Sequence, residues 1–107
     1  MANPVPSPST EVLTPLREQL DAVDVTLIET LARRFQICRE VALLKKKHGI
    51  PMMQHGRVEY VKQRCAEMGA ARGLNAELVL RLYELIIDHA CQVESTIISE
   101  GGDEQKR

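Results

Sequence analysis

Apolar residues recur along the first half of the chain at three- and four-residue intervals: Leu13, Leu16, Leu20, Val23 and Leu27, then Ile37, Val41 and Leu44. That alternation predicts one long helix from about Glu11 to Lys47, with a stripe packed lengthwise against other helices. Thr10 is placed to cap its start, Pro15 falls in its first turn, and His48-Gly49-Ile50-Pro51 ends it. A second helix fits about His55 to Ala71, with Val58, Val61, Cys65 and Met68 on one face. Arg72-Gly73-Leu74-Asn75 reads as a tight turn, Gly73 lying near the C-cap and Asn75 capping the next helix. The third helix is predicted from about Ala76 to Ser99, with Leu78, Leu82, Leu85, Ile86, Val93 and Ile97 facing inward.

No segment alternates with a period of two, so the predicted class is all-α, with three helices. The helical domain covers 11–99. The leader 1–10, carrying Pro4, Pro6 and Pro8, is expected to be disordered, and the charged, Gly-containing tail 100–107 to fray. A first helix of about 37 residues would extend about 55 Å at about 1.5 Å per residue. The two shorter helices cannot cover that length, so its stripe calls for a partner, most simply a second copy in a two-fold dimer.

Charge and composition then exclude several functions. With 107 residues and a net charge of -1, the chain lacks the basic excess of a nucleic-acid binder. Aromatic residues make up 3%, so stacking platforms are not expected and the core must be aliphatic. Cys38, Cys65 and Cys91 are widely spaced, and His48, His55 and His89 stand apart, so no metal site is expected. The thiols read as buried and free, in a reducing cytosol. The N-terminus lacks the pattern of a signal peptide, and no run approaches the roughly 20 apolar residues of a membrane span. A cytoplasmic protein is expected.

Within the apolar stripe, one position breaks the rule: it holds Arg34. A buried arginine must find an anion, because an unpaired buried charge is very costly. Lys45 follows 11 residues later, on the same face with an offset of about 20° and about 16 Å along the axis. Two long cationic side chains leaning together fit the ends of one small dianion. An internal ion pair, or snorkelling to the surface, is the other explanation the spacing leaves open. Arg17 lies about 25 Å and about 100° from Arg34. It cannot reach the same ligand within one chain but can reach a partner's in an antiparallel dimer, or simply be a surface arginine. Arg57 opens the second helix, where backbone N–H groups also favour anions, though a solvated residue would serve there too. Glu94 sits beside the inward face of the third helix, a position a surface glutamate would also occupy. No nucleophile arrangement, phosphate loop or dinucleotide fingerprint is present, which leaves a reaction needing only shape and charge.

Over about residues 13–98 the chain resembles the all-helical (type II) chorismate mutases. The resemblance rests on Leu16-Arg17-Glu18 with Asp24, Leu31-Ala32-Arg33-Arg34, Lys45, the Gly49-Ile50-Pro51 turn, Arg57 and Leu85-Ile86-Ile87. It implies an intertwined dimer of three-helix chains, with Arg17 lent to the partner's site and Arg34, Lys45 and Arg57 serving their own. It also implies a cofactor-free Claisen rearrangement of a cyclohexadiene dicarboxylate, with Lys45 at the ether oxygen.

The chain departs from the usual pattern near the substrate's ring hydroxyl. Val58 replaces a glutamate, Gln54 an aspartate, Glu94 a glutamine and Ala90 a serine. Pro51-Met52-Met53-Gln54, Gly56-Arg57-Val58 and Cys91 with Val93-Glu94 resemble the 4-amino-4-deoxychorismate mutases of antibiotic pathways. The resemblance therefore implies conversion of 4-amino-4-deoxychorismate to 4-amino-4-deoxyprephenate. Because the amino-bearing carbon adjoins the ether carbon, Glu94 is expected to meet the amino group or, if protonated, to donate to the ether oxygen. Three alternatives stay open: a chorismate mutase making prephenate, an isochorismate pyruvate-lyase (where valine also follows the loop arginine), and a non-catalytic helical dimer.

Overall fold

The structure is a computed structural model and describes residues 8–52 and 54–105. Among them the regular elements are three α-helices: α1 (Pro8–His48), α2 (His55–Ala71) and α3 (Ala76–Gln105). The expected all-α class is observed, while the leader expected over 1–10 lies, for residues 1–7, outside the described residues.

The helix boundaries differ from those expected at both ends of the chain. α1 begins at Pro8, a residue suited to a first helical position because its φ is fixed and its missing N–H has no partner to lose there. Thr10 is therefore inside the helix and does not cap it. Pro15 is likewise well inside α1, where a proline cannot bond the preceding turn. One residue earlier, the Thr14 hydroxyl donates to the Thr10 carbonyl at 2.8 Å. At the other end α3 continues past Ser99 to Gln105.

The chain divides into two units, Met1–Arg34 and Phe35–Arg107. In the first, the described part is helix α1 by itself. Every residue from Glu11 to Thr30 is exposed, including Leu16, Leu20, Val23 and Leu27, while Leu31 and Arg34 are half-buried.

The second unit contains the end of α1 and the α2–α3 hairpin, in which the two helices pack together. The turn between them is built as its residues suggest. Leu74 N–H bonds the Gly69 carbonyl at 2.9 Å and Gly73 N–H the Ala70 carbonyl at 3.1 Å. This pair of bonds closes a helix when the residue after the cap turns left-handed, as Gly73 does at φ 83°. Asn75 then caps α3, its Oδ1 accepting from Leu78 N–H at 3.0 Å. At Gly69 the helices approach closely: a Cβ there would lie 2.7 Å from Val79 Cγ2.

The core of this unit is made of small side chains, with Ala42, Cys65, Ala66, Val79 and Ala90 buried and no large side chain fully so among the described residues. The face expected on α2 is observed, since Val58, Val61 and Met68 are half-buried and Cys65 buried. On α3, Ile86, Val93 and Ile97 are half-buried as expected, but Leu78, Leu82 and Leu85 are exposed. α3 carries a wider apolar stripe than one neighbouring helix covers. The cysteines are free, but only Cys65 is buried; Cys38 and Cys91 are half-buried. No helix among the described residues is long and apolar enough to cross a membrane.

Candidate active site

Lys45 stands in the last turn of α1, among Lys46, Lys47 and His48, where cations favourably meet the negative end of the helix dipole. Gly49 follows at φ 64°, and the turn it makes lets Ile50 N–H bond the Lys45 carbonyl at 2.9 Å. The chain then folds back so that Lys45 Nζ donates to the Met52 carbonyl at 2.7 Å and to Glu94 Oε1 of α3 at 2.8 Å. The lysine and glutamate side chains are only 14% and 11% exposed. Glu94 is thus not the surface glutamate its position also allowed; it is the buried charged residue of the described chain, and Lys45 is its partner.

Ala90 lies one turn before Glu94 on α3, is buried, and itself brings neither a hydroxyl nor an amide to the pair. Asp88, Cys91 and Cys38 add to the local field. Burial pushes the Cys91 thiol above its ordinary range, Glu94 and Asp88 push the same way, and Lys45 opposes them. Phe35 of α1 and His89 of α3 meet edge to face with ring centroids 4.8 Å apart. An open recess of about 430 Å³ borders Lys45, with Lys46, Ile50, Pro51, Met52 and Ile98 among its walls.

Beyond the loop, Gln54 is exposed and its Nε2 donates to the Pro51 carbonyl at 3.2 Å. Its own carbonyl accepts from Arg57 N–H at 2.9 Å and from Val58 N–H, opening α2. Arg57 is exposed, with its guanidinium 5.3 Å from the Tyr60 ring centre. Val58 is half-buried. Arg17, exposed, and Arg34, half-buried, belong to the N-terminal unit, and the geometry above is that of Phe35–Arg107 alone.

Of the residues singled out in the sequence, the structure joins Lys45 to Glu94 and links Gln54 to the start of α2 at Arg57. The Met52 carbonyl, Lys46 and Ile98 were not foreseen. A main-chain carbonyl leaves no trace in residue type. Lys46 carried a weak signal, as part of the basic run ending α1. Among the described residues no group of three or more His, Cys, Asp or Glu side chains is arranged to hold a metal ion.

The site is thus a cationic helix end facing a second helix, with a small-molecule-sized recess beside it, and the sequence that builds it is matched by a family model. The model described as chorismate mutase type II matches residues 16–95. The chain belongs to that family. A 4-amino-4-deoxychorismate mutase of Streptomyces venezuelae is 44% identical over 84 residues, 78% of this chain and 82% of the relative. A second protein of that name, from Streptomyces pristinaespiralis, is 34% identical over 97 residues, 91% of this chain and 75% of the relative. A chorismate mutase of Methanocaldococcus jannaschii is 21% identical over 97 residues, 91% of this chain and 98% of the relative. The chain is an enzyme, a mutase of chorismate-type substrates, as its family and these relatives indicate. A purely structural helical dimer is thereby set aside.

Proposed function

We propose that this enzyme converts 4-amino-4-deoxychorismate to 4-amino-4-deoxyprephenate, in the cytoplasm, as a two-fold homodimer whose mutase domain spans about 11–99. The observation that carries the substrate assignment is the buried Glu94 carboxylate 2.8 Å from Lys45 Nζ. It offsets the lysine's charge just where a dianion would use it. A substrate that brings two carboxylates and an ammonium suits such a site better than one with a hydroxyl in the ammonium's place. An ammonium about 5 Å from Glu94 gains about 3 kcal/mol at an effective dielectric near 20. The two Streptomyces relatives support the same choice, as do Val58, Gln54 and Ala90 in place of the groups that usually meet a ring hydroxyl.

The reaction is unimolecular and moves no proton. The enzyme's task is to hold the enolpyruvyl arm over the ring and to stabilise the negative charge growing on the ether oxygen. In this reading Arg34 and Arg57, with Arg17 from the second copy, grip the two carboxylates. Lys45 turns its remaining proton to the ether oxygen. An acceleration of about a million-fold asks about 8 kcal/mol of these effects together.

Support for the second copy comes from the exposed row on α1. Leu16, Leu20, Val23 and Leu27 are each close to 60% exposed, and Leu78, Leu82 and Leu85 on α3 are also open. Contiguous apolar rows of this size are interaction surfaces in soluble proteins, and a two-fold partner buries the same row on both copies.

The test is one assay with 4-amino-4-deoxychorismate, chorismate and isochorismate. The first is expected to have at least a tenfold higher kcat/KM, about 1.4 kcal/mol of discrimination, and Glu94→Gln is expected to erase the margin. A smaller preference in the native enzyme overturns the substrate assignment. Mixing Arg17→Ala with Arg34→Ala chains tests the shared site. Each is expected to be inactive alone, while the mixture regains about a quarter of native activity through one intact site per mixed dimer. No recovery after subunit exchange refutes the exchange of Arg17.

A further inference from the structure

The bonds around Lys45 form a connected series that ends at Arg57. Lys45 holds the start of the α1–α2 connection twice: its carbonyl takes Ile50 N–H at 2.9 Å, and its ammonium takes the Met52 carbonyl at 2.7 Å. Between those two points Pro51 offers its carbonyl to Gln54 Nε2 at 3.2 Å. The Gln54 carbonyl in turn accepts Arg57 N–H at 2.9 Å as the first turn of α2 forms. Glu94, 49 positions away on α3, also holds the ammonium at 2.8 Å.

We infer that Lys45 and Gln54 form a clasp that sets the position of Arg57 before any substrate arrives, with Glu94 as the positioning residue that holds Lys45 in it. The role is additional to the substrate contacts proposed above. It concerns the same site and rests on that reading only for the use made of Arg57. The physical reason is donor geometry. An ammonium has three protons and no preferred plane, so one lysine can bridge two segments and keep a proton for a third partner. Charge-assisted bonds are about twice as strong as neutral ones, and this one is shielded from water. It adds a directed, fixed point to the non-directional apolar walls of Ile50, Pro51 and Met52, which line one recess with Ile98 of α3. Ordering the loop beforehand removes an entropic penalty that substrate binding would otherwise meet.

The test uses the substrate-free chain, so its outcome does not depend on which substrate the enzyme prefers. Native-state digestion with subtilisin, mapped by mass spectrometry, reads opening of the connection at residues 50–52 and at Gln54. Lys45→Met is expected to speed cleavage there at least tenfold and Glu94→Ala at least threefold. Gln54→Ala is expected to do so at least twofold, and the exposed Lys47→Met to leave it unchanged. Circular dichroism checks that each variant keeps its helices. A second measurement needs no variant: in protein labelled with 15N-lysine and 13C-methionine, the Lys45 ammonium protons should exchange slowly and couple to the Met52 carbonyl. Cleavage by Lys45→Met within twofold of native overturns the clasp, and so does a Lys45 ammonium that exchanges as fast as that of Lys47. A clasp that passes while 4-amino-4-deoxychorismate is not preferred leaves the inference standing and removes only the substrate assignment.

Discussion

Replacing Lys45 by methionine would keep the length of its aliphatic stem and leave the Glu94 carboxylate without its cation. The Glu94 side chain is 11% exposed, so water can reach one edge of it and no more. Breaking a buried ion pair by removing one member costs about 3–5 kcal/mol. The residual exposure puts this pair at the low end, about 3 kcal/mol, and the lost bond to the Met52 carbonyl adds about 1 kcal/mol. Glu94→Gln is different in kind. An amide oxygen can still accept from Lys45 Nζ, and the lysine keeps its Met52 bond, so the loss is expected to be about 1–2 kcal/mol.

The double variant then decides whether the pair acts as a pair. With Lys45→Met and Glu94→Gln together, no charge is left buried. The protein should be about 2 kcal/mol more stable than with Lys45→Met alone, although it carries one more substitution. The assay is equilibrium unfolding in urea, followed by circular dichroism at one fixed protein concentration, because the apparent stability of the proposed dimer depends on concentration. Slopes should agree among the four proteins; a changed slope would mean an altered unfolded state and not a lost contact. Losses that add within about 0.5 kcal/mol refute the reasoning, since independent sites behave that way.

Two further predictions rest on single contacts. Gly69→Ala would set a Cβ 2.7 Å from Val79 Cγ2, and Val79 is too buried to swing aside. Overpacking of about 1–3 kcal/mol should outweigh the roughly 1 kcal/mol gain in helix propensity, and the same substitution in a Val79→Ala background should be neutral or stabilising in urea unfolding; equal losses in both backgrounds would rule out the clash. For Cys91, burial and the nearby Glu94 and Asp88 hold the thiol pKa up against Lys45. A raised folded pKa gives stability that is whole below the ordinary thiol range and is lost as pH rises through the folded value. Peptide-mapped iodoacetamide labelling at mildly alkaline pH should therefore be several-fold slower at Cys91 in the folded chain than in urea, and equal rates would contradict the placement.

What could be read from the sequence was mostly what is local. Gly73 and Asn75 announce the α2–α3 turn because a left-handed residue and a capping amide act on backbone groups a few positions away, and the structure uses both for those purposes. The onset of α1 was misplaced for the same local reason. Pro8 can open a helix as readily as it can break one, and Pro15 had to be inside once Pro8 was first. Long-range partnership is another matter. Period and residue type do not say that Lys45 will meet Glu94 across 49 positions; only the family resemblance, which sets both near the ether oxygen, brings them together, and nothing announces the main-chain carbonyl at Met52 that completes the set. The apolar period on α3 put Leu78, Leu82 and Leu85 on an inward stripe, and in the structure all three are exposed. Periodicity marks which residues share a face, not whether that face is covered.

The donor count at Lys45 limits how the proposed site can work. Two of its three ammonium protons are committed, to Glu94 and to Met52, so one is left for the substrate. A single proton from a charge-compensated lysine suits an ether oxygen, which gains negative charge only as its bond breaks. It does not suit a carboxylate, which is fully charged in the ground state and accepts two bonds at once. In the proposed site, gripping carboxylates therefore falls to the guanidinium groups, whose planar forks match that geometry. A lysine aimed at the breaking bond, with arginines holding the ends, places its interaction where it strengthens toward the transition state, and an interaction of that kind raises kcat and does not merely lower KM.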